Sequence, residues 1–229
     1  MANQAMLIYV GTYTRSLPHV AAKSEGIYLI QMDPATGLLE HVSKTIGVDN
    51  PSYVTLHPNG QYLYAVNEVG DYGGASSGAV SAFAIDGETG DLTFLNQEPT
   101  DGAAPCHLVV DAMGRYVLCA NYSGGSVSMH PLNGDGSLGK MSDFVQHVGS
   151  SVNPQRQQGP HAHSLTIDES RIATPMPVIW ARIRYSSISS IWHGANWWPT
   201  SPPTPRPQKG RPAPLIFTPP RRSPMSSTS

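Results

Sequence analysis

PSYVTLHPNGQYLYAVNE, residues 51 to 68, lines up without gaps on PCHLVVDAMGRYVLCANY, residues 105 to 122. The offset of 54 residues, Pro51 to Pro105, carries Gly60 onto Gly114, Tyr62 onto Tyr116 and Asn67 onto Asn121. A third copy starts at Pro160 with PHAHSLTIDES and is slightly longer before Asp168. Each copy has the form of a hairpin: an apolar run, a turn built on Asn, Asp and Gly, then a second β-rich run. Between copies lies a further strand pair. Gly78 to Ile85 leads through Asp86 to Asp91 into Leu92 to Leu95, and Gly125 to Leu132 leads through Asn133 to Gly136 into Leu138. Gly26 to Met32 followed by Asp33 to Gly37 has the same form. Four short strands per period of about 50 residues is the pattern of a propeller blade, so the expected fold class is all-β, about three blades of a β-propeller. A sandwich of unrelated hairpins is the competing architecture, and it would not explain so regular a repeat.

The composition narrows the functions. A formal charge of -2 argues against a protein that grips phosphate backbones or an anionic membrane surface. No nucleic acid and no membrane partner is therefore expected. The opening MANQAMLIYVGTY has no basic leader and reads as a strand. Two cysteines, Cys106 and Cys119, are too few for a disulfide framework and are expected as reduced packing thiols in a cytoplasmic protein.

PSYVTLHPNGQYLYAVNE, the Pro105-Cys106-His107 start of the second copy, ANYSGGSV (residues 120 to 127) and above all QGPHAHS (158 to 164) resemble the lactonase family of seven-bladed propellers, the cytoplasmic type that includes one kind of 6-phosphogluconolactonase. The resemblance covers residues 6 to 170. It implies hydrolysis of a sugar lactone, 6-phospho-D-glucono-1,5-lactone to 6-phosphogluconate in the pentose phosphate pathway, with no cofactor and no metal. Two other readings stand beside it: a cyclising enzyme of the carboxymuconate type, and a non-catalytic propeller that binds a ligand or partner.

Polar residues that recur at one repeat position project to one region from every blade, because a strand alternates its faces. The end of the second run supplies Asn67 and Glu68, then Asn121 and Tyr122. The start of the first run supplies Tyr53, His107 and His163. His163 and His161 are the expected catalytic pair, since an imidazole titrating near ~6.5 can take a proton from water attacking an ester carbonyl. Glu68 is the alternative base, or the group that orients the imidazole. Asn67, Asn121 and His107 are expected to bind substrate, the two asparagines by donating to the developing oxyanion. Arg156 is nominated as the cation for a phosphate. His161 and His163 could instead be structural histidines of a strand, Asn67 and Asn121 could simply close turns, and His57 is expected in a solvent-facing turn.

After Arg171 the alternation stops, and Pro, Ser and Arg dominate the last thirty residues. A Pro-rich, irregular tail over 171 to 229 fits an unpacked chain. Re-reading that stretch one base earlier allows segments that echo Ile27 to Leu38 and Leu63 to Glu68 in repeat order, so the expectation is a reading-frame break near Arg171. The domains are accordingly 1 to 170, a partial propeller, and 171 to 229, an out-of-frame tail. Such a chain is expected to be truncated, poorly folded and inactive, because a propeller is stabilised by closing its ring.

Overall fold

The computed structural model describes residues 6 to 167 and the backbone of residues 183 to 185. The tail assigned to 171 to 229 otherwise lies outside the described residues. All regular elements are strands apart from one short 3-10 turn at Tyr72–Gly74. The first sheet has three antiparallel strands in the order β1 (Met6–Val10), β2 (Gly26–Met32), β3 (Leu39–Ile46). The second is a four-stranded meander of β4 (Val54–Leu56), β5 (Tyr62–Asn67), β6 (Ala79–Ile85) and β7 (Leu92–Pro99). The third repeats it with β8 (Pro105–Val110), β9 (Tyr116–Asn121), β10 (Ser126–Pro131) and β11 (Asp143–Gln146). The copy that begins at Pro160 opens a fourth sheet, in which β12 (Leu165–Ile167) pairs antiparallel with β13 (Ile183–Tyr185).

In the second and third sheets the second strand, β5 or β9, is apolar up to its closing asparagine because both of its faces are covered. Along β5, Leu63 and Ala65 pack with Ile27, Val48 and Phe83 toward the first sheet. Tyr64 and Val66 point the other way, against Leu108, Val117 and Cys119 of the third sheet. Along β9 the alternation repeats, with Leu118 and Ala120 meeting Ala162 and Leu165. Successive residues thus serve successive interfaces, and the period of two fixes the register.

Polar contacts tie each blade to the turns of the next. The Tyr9 hydroxyl donates to the Gly90 carbonyl at 2.6 Å, and that of Tyr64 to the Gly136 carbonyl at 3.0 Å. His57 departs from its expected solvent-facing position. It is half-buried, its Nε2 lies 3.1 Å from the Gly114 carbonyl of the equivalent turn, and its ring meets those of Tyr62 and Tyr64. Gly114 permits this approach: its φ is +66°, and a Cβ there would sit 2.3 Å from the His57 ring.

Candidate functional site

The tyrosines Tyr9 and Tyr64, which make equivalent contacts to the neighbouring turn, bring the first two sheets into correspondence. Tyr13 lies as far beyond Tyr9 as Glu68 lies beyond Tyr64, and the 54-residue repeat carries Glu68 onto Tyr122. Three successive sheets therefore offer Tyr13, Glu68 and Tyr122 from the same place, just past the second strand. The segments that begin the first strands, Ser52, Cys106 and His161 to His163, pack against them.

Glu68 is 9% exposed. Its Oε2 accepts hydrogen bonds from the Tyr13 hydroxyl at 2.9 Å and the Ser52 hydroxyl at 2.5 Å. Burial first, and then the Glu68 carboxylate, push the Tyr13 phenol up to about 12, so it stays a donor at neutral pH. The described side-chain partners of Glu68 are these two hydroxyls rather than an imidazole. Asn50 clamps the same residue from both sides, accepting the Glu68 N–H at 3.0 Å and donating from Nδ2 to its carbonyl at 3.1 Å.

The imidazoles gather one blade further on. His161 stacks on Tyr122 with ring centroids 4.6 Å apart, its Nδ1 lying 3.0 Å from the Tyr122 carbonyl. His163 meets the edge of the same ring at 5.7 Å. Both stand in the irregular segment before β12, not on a strand as one structural reading expected. His107 stacks on Tyr53 at 4.5 Å and receives the Leu165 N–H on Nδ1 at 3.3 Å. Burial holds its ring below the usual imidazole range, and the neighbouring His163 adds to this. Cys106 bridges the two groups. Its Sγ lies 3.5 Å from the His163 carbonyl, and burial, reinforced by the charge of Glu68, pushes the thiol up to about 12. It is a packing thiol, with too little thiolate at neutral pH to act as a nucleophile.

The two asparagines are held in buried networks. Asn67 is fully buried; its Oδ1 takes the Ser81 hydroxyl and the Gln97 amide, and its Nδ2 donates to the Asp49 carbonyl. Asn121 is equally buried, with Nδ2 donating to the Thr100 carbonyl and the Ser126 hydroxyl. Both amides tie the end of their strand to a serine of the following strand and to the connection that precedes their sheet, and Asn67 also lines a polar cavity. Arg156 is exposed, and its described bonds run from its backbone to Asn153. The structure shows no described contact between it and the Glu68 or imidazole groups. Arg15 is a described cation that sequence reasoning missed. Its guanidinium sits 3.1 Å from both Asp49 and Asp71, at the edge of a polar cavity of about 210 Å³ that Tyr72 and Gln97 also line. Among the described residues, no helix is long and apolar enough to cross a membrane.

Comparison with known proteins fits this layout. The family model described as "Lactonase, 7-bladed beta-propeller" matches residues 7–174. A 6-phosphogluconolactonase of Bacillus subtilis is 37% identical over 155 residues, covering 68% of this chain and 41% of that protein. One of Formosa agariphila is 29% identical, with 69% and 42% covered. Among solved structures, the Pseudomonas aeruginosa periplasmic gluconolactonase superposes with a TM-score of 0.63 at 33% identity, over 71% of this chain and 44% of that one. The chain thus spans about two-fifths of the length of the curated relatives it matches.

Proposed function

We propose, because the chain belongs to the lactonase family of seven-bladed β-propellers, that its described blades carry part of a site for hydrolysing a sugar lactone. The substrate class is the 1,5-lactone of an aldonic acid, and the 6-phospho-D-glucono form is the first choice because the Bacillus subtilis and Formosa agariphila relatives bear that enzyme's name. The observation that carries the reading is the placement of two proton acceptors, Glu68 and His163, at the ends of adjacent blades, with the Cys106 thiol 3.5 Å from the His163 carbonyl and within reach of the Glu68 charge.

In lactone hydrolysis the oxygen of water bonds to the carbonyl carbon while an acceptor side chain takes one of its protons. The tetrahedral intermediate then collapses with cleavage of the bond between that carbon and the ring oxygen. The ring oxygen leaves as the C5 hydroxyl after receiving the proton, and the acceptor is regenerated. His163 is assigned as this acceptor, with Glu68 as the second candidate. The two free thiols favour a reducing compartment such as the cytoplasm.

The test is turnover of 6-phospho-D-glucono-1,5-lactone and of the unphosphorylated lactone, followed as acid release, by the 229-residue chain and by a full-length protein with its reading frame restored. Against the active form, His163→Ala and Glu68→Gln are compared. Loss of about a hundredfold or more in kcat for one of them identifies the acceptor. Full activity in both variants would remove the assignment, and an inactive full-length protein would remove the reading.

A further inference from the structure

We propose, as a step that rests on the lactonase reading, that Tyr13 and Ser52 are positioning residues, which hold the Glu68 carboxylate by one oxygen and present the other to the substrate.

The two donors come from different sheets. Tyr13 stands in the connection from β1 to β2, and Ser52 immediately precedes β4, yet both hydroxyls reach Oε2 of one side chain, at 2.9 and 2.5 Å. Oε1 has no protein partner among the described residues. Oε1 is not sealed from solvent, so it is the oxygen open to an outside group.

The backbone is built to keep this arrangement. Asn50 is completely buried and has a φ of +39°, a left-handed conformation that asparagine tolerates better than most residues. Its Oδ1 accepts the N–H groups of Thr14 at 2.9 Å and Arg15 at 2.6 Å, which fixes the segment that carries Tyr13. Its main chain and Nδ2 fix Glu68, as described above, and its carbonyl also accepts the Ser52 N–H at 2.7 Å. One residue therefore sets the relative positions of both donors and their acceptor. The two donated bonds fix the orientation of the Glu68 carboxylate. Small errors in the placement of such a group are costly in rate.

The first experiment needs no turnover. In the 229-residue chain labelled with carbon-13 at the tyrosine Cζ, Glu68→Gln is expected to shift the Tyr13 resonance and His163→Ala to leave it in place. A Tyr13 resonance indifferent to Glu68→Gln would overturn the proposal. The second uses whichever form hydrolyses lactone. Tyr13→Phe and Ser52→Ala are expected to lower kcat about tenfold with little change in KM. Ser52→Thr, which keeps the hydroxyl, is expected to restore most of the rate. Wild-type kcat in both Tyr13→Phe and Ser52→Ala would also overturn it. If no form hydrolyses a lactone, the functional reading fails, and the resonance of Tyr13 still decides whether the two hydroxyls hold the carboxylate.

Discussion

Asn50 concentrates more of the architecture than any side chain the repeat singles out. Replacing it with alanine would strip the acceptor from the Thr14 and Arg15 amides and the donor from the Glu68 carbonyl, while leaving a Cβ in a left-handed conformation. Unpartnered buried groups of this kind cost about 1–3 kcal/mol each. Asn50→Ala is therefore expected to lose about 2–4 kcal/mol in urea denaturation, whereas Tyr13→Phe, which deletes one partly exposed hydroxyl, should lose about 1 kcal/mol or less. A comparable loss in the two variants would mean that Asn50 does not anchor the segment.

The same residue scale shows what could be read from the chain. His107 and His163 stand at one repeat position, and Glu68 holds the position that Tyr122 takes in the next copy. Asn67 and Asn121 recur just as strictly, but for a buried purpose: each bonds a serine of the following strand, Ser81 or Ser126. Recurrence alone does not separate a ligand-facing role from a sheet-closing one. Tyr13 and Ser52 were missed because a lone hydroxyl has no pattern of its own. The clue was available in the register, since Tyr13 stands to Tyr9 as Glu68 stands to Tyr64.

At the scale of the element, the strands were legible because both their faces are covered. A stretch such as Tyr62 to Val66 must then be apolar throughout, and the turn at Gly60 precedes it as that at Gly114 precedes Tyr116. Strand β10 carries a less visible consequence. His130 is completely buried there, and burial pushes its imidazole down to about 4. Below about pH 6.5 the unfolded chain takes up a proton that the folded chain refuses until about pH 4. Stability is therefore lost as pH falls through that window, by roughly 3 kcal/mol at its lower end. Denaturation of wild type and His130→Gln at pH 7 and pH 4.5 should show a smaller acid loss in the variant. Equal losses would assign the acid sensitivity to other groups.

For the whole molecule, the first sheet has two unlike faces. Leu7, Tyr9, Ile27 and Leu29 face the second blade, while the opposite face shows Met6, Val10, Leu39 and Ile46 at 51, 41, 63 and 66% exposure. No described residue covers it. An apolar sheet face of this kind promotes association. The purified chain is expected to sediment as oligomers, and the double variant Leu39→Lys, Ile46→Lys to shift it toward monomer. A monomeric wild type in analytical ultracentrifugation would contradict this. The family match stops at residue 174, close to the change of composition after Arg171. We propose a break in the reading frame there. Sequencing the coding DNA across Asp168 to Ile172 should reveal an added or missing base; an intact frame would make residues 171 to 229 a genuine extension.

The hydroxyls of Tyr9 and Tyr64 each reach forward, to a turn that lies 81 and 72 residues later in the chain. On the ribosome, then, each sheet emerges before the carbonyl its tyrosine will bind has been translated. The docking of each tyrosine therefore waits for more than a full repeat of further synthesis, until the turn of the succeeding blade has left the exit tunnel.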